Sequence, residues 1–410
     1  MNDTMFKAER SNIDLIKENV QEVKSLNGIF ISGFWLFVIR FAMRLRILRL
    51  IIRSYPIPND WINALKYLIV LRKNILGTPK IKKLAKVKGK YYMGIYTSSW
   101  FSKEFDQFIL SHLNDYKPIK RPSNRFDMVF IAVTDKCPLR CEHCYNWNKL
   151  NGKAQSSINN LSGIIKKLQT KGVSHIQFLG GEPMLEFKNI CDAVKSSKTS
   201  SEFWITTSGF SFSEAKAKKL KASGIRGVII SLDHYDPLKH NQFRNHKSAF
   251  NWVKLAVKHA INAELIVALS ICITKEFSTE SNLNNYMELA KDLGVMFVQF
   301  LEPKPVGHYQ NKDVLLTKNQ IAALEQFFLE YNFTSRYLDY PIIIYPGYHQ
   351  RRKGCMLAGK KSIYIDTTGT INPCPFCHRS YGKVLENDLN SRLEQLVNQG
   401  CIEYGKTLLN

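Results

Sequence analysis

The chain has 410 residues, 45% of them hydrophobic and 12% aromatic, with a formal net charge of +24. That much apolar material excludes a globally disordered chain, and the absence of any repeat of about 20–50 residues excludes a solenoid. The length predicts one main domain of about 200–250 residues plus extensions.

No charged-then-apolar leader with a small-residue cleavage site opens the sequence. Nine cysteines are present, five of them in two tight clusters, which reads as metal ligation more readily than as disulfides. A reducing cytoplasm is the compartment these features imply.

The N-terminal third (residues 1–127) is basic and reads as mostly helical, with long helices and no helix-then-hairpin pattern. Between residues 40 and 90 there are 14 Lys or Arg and one acid, Asp60. Such a block is either a footprint for phosphate-bearing partners, lipid or nucleic acid, or a solvated basic face. The stretch Gly28–Ile39 is apolar and carries Phe30, Phe34, Trp35 and Phe37. It is shorter than the roughly 20 residues a bilayer span needs. Arg40, Arg44, Arg46, Arg49 and Arg53 follow, and each would cost about 2.5–3.5 kcal/mol near a bilayer centre. A helix lying in a membrane interface accommodates both features; a helix buried against the main domain is the alternative.

From Met128 onward, apolar runs of strand length alternate with helical segments. The runs are Met128–Thr134, His175–Leu179, Glu202–Thr207, Val228–Asp233, Leu265–Thr274 and Met296–Glu302. Helices are expected at Ile158–Thr170, Glu214–Ala222, Phe250–Ile261, Leu283–Leu293 and Lys318–Tyr331. This is an α/β pattern, a partial (β/α)6 TIM-like barrel over residues 128–335. Barrels of this kind keep their chemistry on loops at the carboxyl ends of strands.

The first cysteine cluster falls on such a loop: Cys137-Pro-Leu-Arg-Cys141-Glu-His143-Cys144. Three thiolates from one loop can converge on one centre, and a cluster that normally takes four thiolates then keeps one iron open. The pattern Cys-x3-Cys-x-aromatic-Cys, with His143 in the aromatic slot, resembles the signature of the radical S-adenosylmethionine (radical SAM) superfamily. A structural zinc knuckle is the bland alternative.

The resemblance implies a [4Fe–4S] cluster on Cys137, Cys141 and Cys144. S-adenosylmethionine (SAM) would be chelated at the open iron and cleaved by one electron to a 5′-deoxyadenosyl radical. It also implies an external reductant such as flavodoxin or ferredoxin. Gly180-Gly181-Glu182-Pro183 after the second strand resembles the family's GGEP motif, which contacts the SAM amino group. Ser231, Asp233, His240 and Arg244 resemble a Ser-x-Asp…His…Arg segment of the same enzymes. By that analogy Ser231 and Asp233 lie near SAM hydroxyls and Arg244 pairs with its carboxylate, in the directional manner of such pairs. Thr206 to Ser208 is a further candidate for the ribose. Each of these polar residues has an ordinary capping or turn role as its alternative.

Near the C-terminus, within 336–410, stand Cys355, Gly369, Cys374, Cys377 and Cys401. Cys-x13-Gly-x4-Cys is similar to the opening of the SPASM extension. Ile363–Asp366 and Thr370–Asn372 flank Thr368-Gly369 as the arms of a hairpin would. The later cysteines of the full SPASM pattern are absent, so the shorter twitch form, with one auxiliary cluster on Cys355, Cys374 and Cys377, fits better. Cys401 is a candidate fourth ligand. A zinc site completed by His378 or Cys401 is the alternative. Cys191 and Cys272 read as core residues.

Function then divides into classes. The leading reading is a radical SAM enzyme acting on a lipid or other membrane-associated molecule at an anionic membrane surface. The others are a peptide-modifying maturase, a nucleic-acid modifier lacking any recognisable RNA-binding module, and a non-catalytic iron–sulfur or zinc scaffold.

Overall fold

The structure, a computed structural model of the chain, describes residues 28–77, 79–119, 126–152, 157–198, 200–355, 361–377 and 379–399. Cys401 and His378 lie outside the described residues, as does the segment before Gly28.

The N-terminal region runs β1 (Ile29–Ser32), α1 (Gly33–Ser54), α2 (Pro58–Leu76), β2 (Lys83–Val87), β3 (Lys90–Tyr92) and α3 (Lys103–Tyr116). Pro58 stands in the first turn of α2, where a missing N–H is harmless. Strands β2 and β3 form a hairpin closed by Lys88-Gly89, both at positive φ, and β1 pairs antiparallel with β2. Two expectations from sequence are overturned in this region. Residues Ile29–Ser32 are a strand rather than helix, and a hairpin does follow the two helices.

The main sheet begins with β4 (Met128–Thr134), α4 (Leu161–Thr170), β5 (His175–Gly180), α5 (Phe187–Lys195), β6 (Glu202–Thr207) and α6 (Glu214–Ser223). It continues with β7 (Ile225–Ser231), α7 (Pro237–Arg244), α8 (Ala249–Asn262), β8 (Ile266–Cys272), α9 (Glu280–Asp292), β9 (Phe297–Leu301) and α10 (Lys318–Phe333). The chain closes with β10 (Ile342–Ile344), α11 (Pro346–Lys353), β11 (Ser362–Ile365), β12 (Ile371–Asn372) and α12 (Leu389–Gln399). The strand order is β10-β9-β8-β7-β6-β5-β4-β11-β12, parallel throughout except for β12. The six expected strands are present in a partial barrel, with three further strands added at its two edges. The fourth expected strand is shifted: β7 starts at Ile225 and ends at Ser231, leaving Asp233 in the loop beyond.

The two faces of this sheet differ. Val129, Ile131, Phe178, Ile205, Val228 and Leu269 point toward the helices and are fully buried. Of the alternate residues, Phe130, Leu179, Thr206, Ser231, Leu301 and Ile344 are partly accessible, whereas Gln177, Ser270, Cys272 and Gln299 are buried. Part of the inner face therefore borders open space, as a lumen would. Its lower part is filled by the N-terminal region: Ala85, Val87, Tyr92 and Ile95 cluster with Trp204, Ile229, Ala268 and Phe297. Lys83 fastens the same region, its ammonium donating to the carbonyls of Tyr337 (2.5 Å) and Tyr340 (2.6 Å).

Candidate active site at the carboxyl ends of the strands

The loop after β4 is held by its own polar residues. The Asn151 side chain accepts from the Cys137 N–H and donates to the Cys137 carbonyl, both at 3.0 Å. Asp135 accepts from Asn146 (2.7 Å) and from Thr367 (2.6 Å). Glu142 N donates to Phe243 O at 3.0 Å, and His143 stacks on the Phe243 ring at 5.0 Å, so α7 covers the loop.

A second cover comes from the segment after β9, which the sequence reading missed. His308 stacks on Trp147 at 3.9 Å and places Nδ1 3.2 Å from Cys141 O, and its N–H donates to Cys144 O at 3.0 Å. Gly307, at φ +59, approaches so closely that a Cβ there would sit 2.2 Å from Cys144 O. A Gly-His pair in a loop after a strand was the available signal, but nothing local connects it to the cysteines.

The three thiols of the loop interact electrostatically. Burial pushes Cys137 up to about 12, with Glu182, Cys141 and Cys144 adding to the rise. Burial likewise raises Cys144 to about 11. Cys141 is also raised by burial, opposed by Arg244, whose guanidinium lies 3.5 Å from its Sγ. Among the described residues, no three His, Cys, Asp or Glu side chains are gathered as tightly as a single ion requires. A four-iron cluster is wider than one ion.

Gly180 to Pro183 leaves the next strand and wraps this loop from below. Gly181 N donates to Thr134 O (2.6 Å) and Glu182 N to Lys136 O (2.8 Å). A Cβ on Gly181 would meet Lys136 O at 2.2 Å, so only glycine permits the approach. Pro183 starts a short 3-10 turn. The Glu182 carboxylate is almost wholly buried and accepts from Met184 N (3.0 Å), Thr207 Oγ1 (2.7 Å), Ser208 N (2.9 Å) and Ser208 Oγ (2.5 Å). Burial raises its pKa above the ordinary carboxylate range, and these donors oppose the rise. Glu182 and Ser208 thus bind each other and fasten the ends of β5 and β6.

Arg244 and Asp233 form the deepest ion pair of the site, Nε to Oδ2 at 2.5 Å. Asp233 also accepts from Cys272 N (3.2 Å), and its own N–H donates to His240 Nδ1 (3.1 Å). Burial would raise the Asp233 carboxyl, but Arg244 and nearby imidazoles hold it below the ordinary range. Burial lowers His143 to about 4, and its Nδ1 is buried with no partner. Ser231, at the end of β7, is partly accessible.

The C-terminal hairpin is as expected: β11 and β12 pair around a turn in which Gly369 has φ +79. Asp366 Oδ1 organises the turn by accepting from Thr368 N (3.0 Å) and Thr370 N (3.1 Å). Because β11 lies beside β4, the Cys374–Cys377 turn comes close to the first loop. Tyr145, the residue after Cys144, meets Phe376 edge-on at 5.9 Å and Tyr364 at 6.5 Å. Cys355 follows α11, and Cys377 is buried. Cys191 and Cys272 are buried in α5 and β8. A cavity of about 360 Å³ opens beside Cys137, lined by Lys136, Pro138, Asn151, Leu185 and Phe210 among others.

Residues 131–289 match the family model of the radical SAM superfamily. The chain carries a radical SAM domain. A probable GTP 3′,8-cyclase of Methanocaldococcus jannaschii is 29% identical over 192 residues, covering 44% of this chain and 62% of that protein. A PqqA peptide cyclase of Streptomyces rochei is 24% identical over 276 residues, covering 65% of this chain and 74% of that protein. Among solved structures, Streptococcus suis SuiB bound to precursor peptide SuiA aligns with a TM-score of 0.56 at 14% identity, covering 76% of this chain and 74% of that one. Native anSMEcpe with bound AdoMet aligns at 0.54 and 18% identity, covering 69% and 84%. At these identities the two structures establish the fold of the radical SAM domain and its flanks.

The family's cofactors are a [4Fe–4S] cluster and SAM, and the residues present fit them. Three thiols share one loop, the Gly181 cradle leaves no room for a side chain, and His143 Nδ1 is a buried polar atom without a partner. No helix among the described residues is long and apolar enough to cross a membrane.

Proposed function

We propose that Cys137, Cys141 and Cys144 hold the [4Fe–4S] cluster, and that Cys355, Cys374 and Cys377 hold an auxiliary cluster beside it. When bound, cluster and SAM together supply one-electron cleavage of the sulfonium and a radical able to abstract hydrogen from substrate. The chain's own residues position and shield that chemistry. Asn151 and His308 bind the backbone of the cysteine loop, and Asp135 holds the Asn146 side chain that follows it. Gly181 lets the backbone after β5 approach, and Glu182 holds that turn against β6. Arg244 carries fixed positive charge beside Cys141, with Asp233 setting its direction.

The substrate group occupies the inner face of the sheet. The observation that carries this is the set of accessible alternate residues Phe130, Leu179, Thr206, Ser231, Leu301 and Ile344, each apolar or hydroxylic, with the neutral amides of Gln177 and Gln299 buried between them. Such a wall suits an uncharged carbon skeleton, whereas a triphosphate calls for cations. A lipid or other membrane-associated molecule satisfies that chemistry. A peptide side chain does so too, and the peptide names of the SuiB structure and the PqqA cyclase favour this second reading.

The test is anaerobic reconstitution with iron and sulfide, then dithionite and SAM. Release of 5′-deoxyadenosine is expected, and a Cys137→Ala, Cys141→Ala, Cys144→Ala triple variant should release none. Nucleoside release by the triple variant would sink the assignment. Changing Cys374 to Ala should preserve uncoupled SAM cleavage and lower the iron content by roughly half, since each cluster carries four irons.

A further inference from the structure

We infer that the α1–α2 hairpin is a docking surface for an anionic lipid bilayer. The inference is independent of the radical chemistry.

Helix α1 is apolar on two opposed faces. Leu36, Ile39, Met43 and Ile51 are buried against the N-terminal core. Phe34, Val38, Phe41, Leu45, Leu48 and Ile52 follow one another at spacings of three and four residues, so they form a second stripe. Their exposure runs from 37% at Val38 to 72% at Phe34. At about 100° per residue the two stripes lie on opposite sides of the helix. Arg44 borders the exposed stripe on one side, and Arg49 and Arg53 border it on the other. Helix α2 repeats the arrangement: Ala64 is buried, while Ile62, Leu65 and Ile69 are exposed at 57%, 39% and 58%.

A solvated surface helix would carry polar residues where these apolar ones stand, and exposed apolar patches of this extent mark interaction sites. Charge chooses the partner. The two helices bear eight Lys or Arg and one acid, Asp60, and that acid is paired with Lys117 at 2.6 Å. Arg40 on α1 and Arg72 on α2 are close enough to repel, with Arg44 adding to the positive field. Aromatic and aliphatic side chains flanked by long cationic ones match the layered chemistry of a lipid interface: acyl chains inside, phosphates at the level of the guanidinium groups. Neither helix spans, so the hairpin lies on the surface.

The full chain, with its clusters, should co-sediment with vesicles of phosphatidylcholine containing about 30% phosphatidylglycerol and bind pure phosphatidylcholine far less. Phe41→Asp with Leu45→Asp should abolish binding while leaving 5′-deoxyadenosine release intact. Arg49→Gln and Arg53→Gln should each weaken it about fivefold, corresponding to about 1 kcal/mol per basic residue at an anionic surface. Absence of binding to the anionic vesicles overturns the inference, and so does binding that the Asp variants do not change. Binding that appears only after residues 1–27 are removed overturns it too, because the chain would then cover its own stripe. A dimer in solution that the Asp variants dissociate, without vesicle binding, also overturns it and assigns the surface to a second copy. Loss of nucleoside release with retained vesicle binding would instead count against the radical SAM reading alone.

Discussion

Helices α8 and α1 are both rich in apolar residues, and they use them differently. In α8 the residues Phe250, Val253, Ala256, Val257, Ala260 and Ile261 share one face, and that face is buried against the sheet. Leu255 is its one large apolar residue left exposed. In α1 a comparable fraction of apolar residues is divided between a buried face and an exposed one. The barrel helix answers only to the fold. The N-terminal helix answers to the fold on one side and leaves its other apolar side exposed among the described residues. The same contrast holds for whole regions: the barrel directs its accessible face inward toward a site, and the N-terminal region directs its accessible face outward.

The comparison breaks if the barrel's site residues carry no folding energy. Glu182→Ala is the strongest probe. It would remove the acceptor for Met184 N and Ser208 N, both buried, and leave two hydroxyls seeking partners. Each unpaired buried donor costs about 1–3 kcal/mol, so a loss of about 3 kcal/mol or more is expected in denaturant unfolding of the metal-free chain. That is a large fraction of ordinary stability. A loss below 1 kcal/mol would mean that water replaces the carboxylate and that the turn after β5 is not held from within.

The next probe concerns the fastening of one region to the other. Burial lowers the Lys83 ammonium from its ordinary value to about 7, with Asp339 opposing the fall. Unfolded lysine titrates near 10.4. Between about pH 7 and pH 10 the unfolded chain therefore binds more protons than the folded one, and this group's contribution to stability rises with pH. Lys83→Met should remove that rise. Stability of the parent relative to the variant, followed by thermal unfolding from pH 7 to pH 10, should climb by an amount on the order of a few kcal/mol. A flat difference would show that Lys83 reaches water in the folded state.

What could be read from sequence follows how local the determining interactions are. Met128–Thr134 and Glu202–Thr207 were legible to the residue because their apolar runs are uninterrupted. Strand β7 was misplaced because Arg226 and Gly227 interrupt its run, which moved the expected strand toward Asp233. Strands β2 and β3 were missed because Lys83, Lys86 and Lys90 read as solvated charge. Lys83 is buried only because carbonyls about 250 residues later in the chain accept from it. The site divides the same way. The cysteine loop was legible because its thiols lie within eight residues. The mutual binding of Glu182 and Ser208 was not, nor was the stacking of His308 on Trp147, since each joins segments that only the sheet brings together.

The smallest effect is the most discriminating for the contrast between regions. Tyr96 extends from the N-terminal region onto the inner face, where the Gln299 amide donates to its hydroxyl. Its ring also meets Phe130 at 6.3 Å and His175 at 6.2 Å, both edge-on. Tyr96→Phe keeps the ring contacts and removes the acceptor. On an inner face open to water, a water molecule takes over that role, and the cost should be about 1 kcal/mol. On a dry inner face the Gln299 amide would be stranded, and the cost would approach about 3 kcal/mol. Phe130, Thr206 and Tyr96 are partly accessible whereas Gln299 itself is buried, so the measured cost decides between the two. A measured loss near the higher value would mean that the N-terminal region seals the lumen rather than merely flooring it, leaving no space there for a substrate.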